Sequence, residues 1–389
     1  MIFLIVRTFV FEALNYSNLA IRKIFSQYFD SLGYSPSEIG FLMAMFPILA
    51  LISSPFWFGV ASKIPEKKTY LIISLSSSIL LWPIFFSNNF ITSLLFVGVF
   101  SFFFSSCIPL GDSLMAKSVI RNGGTYNRIR LFGTIGYSAT SLIVSQLIKN
   151  GFVFLFVIGS SLFLSASVVI SIKENKSEKT ANKNKESIIR NGNKFTFILM
   201  LSGFFYGMIM VSFHSTFLPI LTREMNFGKD AVGMALAFMA IAEVPFLLFA
   251  NKIVDKLGNV RVFLIGCFFS GLRNILVTYA NSLPSLLLFE LFHGIAFILM
   301  YYSLFNYIHF KLSEKYTRSA QSLFWFISIG LSYIVSSIFG GFLIEWITVK
   351  ESFRISGYFG FIVTLIIFVI AVLNRERTGL LKINNYKKK

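Results

Sequence analysis

Ala61-Ser62-Lys63-Ile64-Pro65-Glu66-Lys67 returns 189 residues later, in degenerate form, as Ala250-Asn251-Lys252-Ile253-Val254-Asp255-Lys256. Around each copy the sequence divides into apolar stretches of ~20 residues, the length that crosses the hydrocarbon core as a helix. Six precede residue 173, at about 5–29, 38–61, 69–87, 91–116, 129–149 and 152–172. Six follow, at about 195–222, 230–252, 260–280, 284–308, 319–345 and 354–373. Each copy of the basic stretch falls in the loop between the second and third span of its half. The halves are therefore parallel repeats of equal orientation. This predicts an all-α polytopic membrane protein with twelve transmembrane helices in two six-helix bundles. The divisions are an N-terminal bundle over 1–172, a linker over 173–194, a C-terminal bundle over 195–374 and a basic tail over 375–389.

Composition agrees with that frame. Of 389 residues 55% are hydrophobic and 13% charged, with 48 Phe and a mean hydropathy of +0.73, which excludes an ordinary soluble domain. The net charge of +18 follows topology and needs no nucleic-acid partner. Alternate loops and the tail hold 26 Lys and Arg, while the opposite loops hold only Lys149, Arg223, Lys229, Lys350 and Arg354. By the positive-inside rule both termini are expected in the cytoplasm, and the protein is expected in the plasma (inner) membrane. The linker, KENKSEKTANKNKESIIRNGNK, reads as flexible and solvated. The first segment, with Glu12, Asn15, Arg22 and Lys23, reads as a retained span and not a signal peptide. Cys107 and Cys267, inside predicted spans and far apart, form neither a disulfide framework nor a metal spacing. No phosphate loop or nucleophile triad is present, so neither ATP-driven pumping, an enzyme nor a cofactor is expected.

The two basic stretches resemble the short basic loop of the major facilitator superfamily, with Ser62 where that family usually has Asp. Arg128-x-Arg130-x-Phe132-Gly133-x-x-Gly136-Tyr137 resembles the fifth helix of the lactose-permease type of oligosaccharide:proton symporter and of phenylpropionate-permease-like carriers. Asp112, eighteen residues before Arg130, fits that pattern, as do Arg273 and His293, 20 apart. Ala242-Glu243-Val244-Pro245 resembles an eighth-helix acidic motif of the wider group. The resemblance implies alternating access by two rocking bundles around a midplane site. It also implies binding of a galactosyl group at the positions of Asp112, Arg130 and Tyr137, with Trp where Tyr137 stands. Glu243, Arg273 and His293 become the proton-coupling half. The acid that the lactose-permease type carries three residues after its histidine is Ala296 here, and Glu290, one turn the other way, is the candidate substitute. The eleventh span lacks that type's lysine and offers Gln321 and Trp325, so strict lactose specificity is not expected.

Chemistry of the residues points the same way. Charges inside a membrane are functional candidates by default. A carboxylate at Asp112 accepts from two sugar hydroxyls while the Arg130 fork donates to a third, and Tyr137, two turns deeper on the same face, offers a stacking ring. The alternative is a structural ion pair between the fourth and fifth spans. Arg128 is expected to snorkel to the headgroups. Glu12, Asn15, Tyr16, Arg22, Lys23 and Ser26 form a polar stripe on the first span. Glu12, Asn15, Arg22 and His214 are possible cavity-lining residues, with packing the blander expectation for His214. The expected function is proton-driven symport of a small polar solute, first a sugar or oligosaccharide. An aromatic carboxylate or nucleoside is the alternative solute, and a non-transporting membrane sensor or binding protein is the alternative class. The expected partners are solute, protons and the bilayer, with the protein monomeric.

Overall fold

The computed structural model describes residues 2–121, 126–172 and 192–380, with side chains over 6–117, 131–172 and 192–380. Among them no strand forms, only an isolated bridge between Gly192 and Leu312. The first half holds α1 (Ile2–Ser31), α2 (Pro36–Lys63), α3 (Glu66–Phe85), α4 (Phe90–Phe104), α5 (Cys107–Arg121), α6 (Tyr126–Leu147) and α7 (Val153–Ser171). The second holds α8 (Lys194–Glu224), α9 (Ala231–Leu257), α10 (Asn259–Leu276), α11 (Leu283–Glu290), α12 (Leu299–Asn306), α13 (Glu314–Trp325), α14 (Ser332–Trp346), α15 (Val349–Leu373) and α16 (Arg375–Thr378). Among the described residues eleven helical segments are long and apolar enough to cross a membrane, where α4 with α5, α11 with α12 and α13 with α14 each make one. α1 is the twelfth: it has 30 residues, and Arg7, Glu12, Arg22, Lys23 and Asp30 make it the polar one of the set.

Helix ends follow local chemistry. Pro36 opens α2 behind a Ser35–Glu38 capping box, and Ser282, Asn89 and Thr348 cap α11, α4 and α15. The two basic stretches end differently. Pro65 stops α2 at Lys63, whereas Val254 replaces that proline and α9 runs on to Leu257, stopping at Gly258 with φ +83°. The second copy is therefore the end of a helix and not the loop the sequence predicts. The predicted fourth span is also interrupted, at Ser105–Ser106, because Pro109 has no N–H for the Ser105 carbonyl four residues back. Spans ten and eleven carry π-helical segments at Gly294–Ile298, Tyr307–Lys311 and Phe326–Leu331, which no apolar periodicity announces.

The chain divides into two compact units. One is Met1–Lys185 with Thr222–Ala237, the other Glu186–Leu221 with Phe238–Lys389. In the first, α1 packs on α6, α2 on α4 and α3 on α7. In the second, Ser336 of α14 donates to Ser212 of α8 across 2.6 Å, α9 meets the segment at Gly294, and α10 packs on α15. Each unit thus joins its first span to its fifth, second to fourth and third to sixth, the parallel repeat in three dimensions. Within the first unit the Thr222–Ala237 hairpin is tied down by Arg223 on Asp30 at 2.9 Å and by Lys149 on Asp230 at 2.8 Å.

Candidate functional site

In the second unit, 61% of the apolar window of α8 and 67% of that of α10 are buried, against 22% in α15. Polar side chains on α8 and α10 are thereby hidden from lipid, which suits the charges this unit carries. Pro245, two residues past Glu243, leaves the Ile241 carbonyl without its helical donor and loosens α9 there. A Cβ at Gly294 would stand 2.0 Å from the Ala242 carbonyl oxygen, so only glycine lets these backbones touch. That contact delivers Glu243 to His293.

The polar chain that results is continuous. Glu243 Oε1 lies 3.2 Å from His293 Nε2. Arg273 Nη1 contacts His293 Nδ1 and stands 3.8 Å from Glu290 Oε2. Glu290 Oε1 is 2.7 Å from His214 Nε2, and His214 Nδ1 is 3.0 Å from Asn274 Oδ1. Asn274 Nδ2 donates to Ser356 Oγ at 3.0 Å, and Ser356 donates to the Phe353 carbonyl at 2.8 Å. The chain runs from Glu243, whose side chain is 26% exposed, to His214, which is wholly enclosed. Glu290 is the last residue of α11 and His293 immediately precedes the π segment, so the break between them lets one address α8 and the other α9. Glu243, Arg273, Glu290 and His293, singled out from sequence, are brought together. His214 joins them, with both ring nitrogens engaged and no exposure. Asn274 and Ser356 were not singled out, although a polar residue directly after Arg273 inside a span was a visible signal. Ala296, where the related symporters carry an acid, is buried within the π segment.

In the first unit, Glu12 and Asn15 are wholly enclosed. Asn15 Oδ1 accepts from the Tyr70 hydroxyl of α3 at 3.1 Å, and the Tyr16 hydroxyl donates to Asp112 Oδ2 of α5 at 2.8 Å. A Cβ at Gly136 would fall 2.2 Å from the Ala13 carbonyl oxygen, so α6 presses on α1 one residue before Tyr137, which is half-buried. Arg22 sets its guanidinium 5.2 Å from the Phe46 ring centre. The side chains of Arg128 and Arg130 lie outside the described residues, as does 173–191 of the linker. Tyr16 and Tyr70 are the additions here; Tyr16 was visible in the polar stripe, but its reach to Asp112 is a tertiary fact.

The sequence profile of the MFS_1 like family matches residues 20–355. The chain belongs to the MFS_1 like family. It is 22% identical over 351 residues to a maltose permease of Geobacillus stearothermophilus, covering 89% of this chain and 88% of that one. To a probable 3-phenylpropionic acid transporter of Escherichia coli (strain K12) it is 21% identical over 340 residues, covering 83% and 86%. The crystal structure of the nucleoside transporter NupG superposes with a TM-score of 0.77 at 19% identity, covering 94% of this chain and 98% of that one. Membership of the superfamily expected from the basic stretches is thus borne out by the profile and these relatives, and the fold by NupG. This MFS_1 like protein is a multi-pass membrane transporter and not an enzyme.

Proposed function

We propose that the protein is a proton-coupled symporter of a small polar solute, first a sugar or oligosaccharide, working by alternating access in the plasma membrane with both termini cytoplasmic. One observation carries this reading: a buried, continuous chain of two carboxylates, two histidines and an arginine in the second unit, leading inward from partly exposed Glu243. Intramembrane titratable chains of this kind mark proton relays. Glu243, Arg273, His293 and Glu290 act as the proton-coupling set. Asp112, Arg130 and Tyr137 act as the substrate set, with Tyr16 holding the Asp112 carboxylate for acceptance from hydroxyls. The maltose permease among its relatives supports a sugar.

A second reading, an aromatic carboxylate, is favoured by Arg22, a cation over an aromatic ring in the first unit, and by the 3-phenylpropionic acid relative. The test is purified protein in liposomes under an imposed inward proton gradient, screened with maltose, 3-phenylpropionate and a nucleoside. Accumulation that collapses with a protonophore supports symport, and the accumulated solute decides between the readings. Solute uptake indifferent to the gradient sinks proton coupling.

A further inference from the structure

Hydrogen-bond donors and acceptors in the second unit fix the tautomer of His293 and the Nδ1 proton of His214. A guanidinium has five N–H donors and no acceptor, so the nitrogen that Arg273 faces must be a lone pair. That nitrogen is His293 Nδ1. His293 is consequently neutral, with its proton on Nε2 directed to the Glu243 carboxylate.

The other histidine is fixed from its far side. Ser356 spends its hydroxyl proton on the Phe353 carbonyl, so it must accept from Asn274 Nδ2. Asn274 therefore turns its Oδ1 to His214 Nδ1, which must carry a proton. The remaining nitrogen, Nε2, lies 2.7 Å from Glu290 Oε1. Two lone pairs do not sit at that distance in an enclosed site, where an unpaired polar contact is costly. A proton lies between them.

We infer that the exchangeable proton of this network is held by the His214–Glu290 pair, and that His293 is a neutral connector. The inference rests on the proton-coupled reading above and moves its proton site from the partly exposed Glu243 to the enclosed pair. The groups facing the pair are Asn274 and Arg273 from α10, Phe353 and Ser356 from α15, and, beyond Arg273, His293 from span ten, Glu243 from α9 and Tyr333 from α14. Arg273 is the only one of them that is always cationic.

The consequence of losing the proton is directional. With Nδ1–H retained, deprotonation leaves Nε2 and Oε1 as opposed lone pairs, so Glu290 turns from His214 towards Arg273. Glu290 Oε2 is buried without a hydrogen-bond donor among the described residues and only 3.8 Å from Nη1, so it is placed to receive that guanidinium. Arg273 then leaves His293 Nδ1, which becomes free to accept a proton, and Glu243 loses its fixed donor geometry. Proton release at the enclosed end is thereby transmitted to the exposed end without a charge crossing the gap alone.

The test is 15N-histidine NMR on the full-length protein in nanodiscs from pH 5.5 to 8.5. The chain has three histidines, and His309→Gln and His293→Gln assign their signals. At neutral pH His293 is expected as the neutral Nε2–H tautomer and His214 with protons at both nitrogens; Glu290→Gln is expected to convert His214 to the neutral Nδ1–H form. With the signals so assigned, a cationic His293 beside a neutral His214 in the unmodified protein overturns the inference. In liposomes, Glu290→Gln is expected to lose gradient-driven accumulation at least tenfold. Wild-type liposomes indifferent to the gradient would sink the symport reading and leave the tautomer result standing. Wild-type accumulation retained in Glu290→Gln would sink the proton assignment alone.

Discussion

Tyr16 of α1 donates its hydroxyl to Asp112 Oδ2 of α5 across 2.8 Å, so a residue of the first span holds the one intramembrane carboxylate that the fourth offers. A hydrogen bond to a charged group contributes ~1.5–3 kcal/mol. Tyr16→Phe is expected to weaken solute binding about 10- to 100-fold at 1.4 kcal/mol per decade, by loosening Asp112 and not by removing it. Asp112→Asn is expected to abolish binding, since the amide presents a donor where the solute needs an acceptor. Equilibrium binding of the solute found by the liposome screen measures both, and wild-type affinity in Asp112→Asn would remove this residue from the substrate set.

Glu243 stands at the exposed end of the polar chain, and the proposed symport makes it the point of proton entry. Glu243→Gln keeps a hydrogen bond to His293 Nε2 but cannot ionise. It is expected to spare solute counterflow within about twofold and to remove accumulation driven by a proton gradient. Uphill uptake by the variant equal to the wild type contradicts the coupling role.

Much of this was legible in the chain itself, for definite reasons. Span positions follow from unbroken apolar runs, and Glu243, Arg273, Glu290 and His293 stand out because a charge in such a run has no cheap explanation but a partner or a function. The interruption at Ser105–Ser106 follows from Pro109, but the run stays apolar through it, so hydropathy does not mark it. The π segments leave no such mark, since one extra residue in the ladder changes no residue type. His214 was visible as a polar residue in α8, but its bond to Glu290, 76 positions away, depends on how α8, α10 and α11 are set together. The pairing of Asp112 with Arg130 lies outside the described residues and stays a proposal.

Gly294 is where α9 and span ten touch, with a Cβ there 2.0 Å from the Ala242 carbonyl oxygen. Gly294→Val must push these backbones apart, and overpacking of this kind costs ~1–3 kcal/mol. The expected outcome is a lowered melting temperature in detergent together with loss of gradient-driven uptake, because Glu243 and His293 separate. Gly59→Ala is the control, since nothing lies within 4 Å of its Cβ position. Equal thermal stability of the two variants would show that the contact at Gly294 is not needed.

Arg273 is fully enclosed and faces Glu290 and His293 together, so its removal strands Glu290 beside His214. Breaking a buried pair by deleting one partner costs ~3–5 kcal/mol, whereas replacing both by apolar residues is often neutral. Arg273→Leu is accordingly expected to unfold at markedly lower temperature, and Arg273→Leu with Glu290→Leu to recover most of that loss. Neither is expected to couple uptake to protons. Arg273→Lys keeps the charge but not the planar fork that reaches both neighbours, so it is expected to fold and to lose at least tenfold in accumulation. The thermal midpoints of the single and double variants form a cycle, and additive effects within about 0.5 kcal/mol would mean that Arg273 and Glu290 do not act on each other.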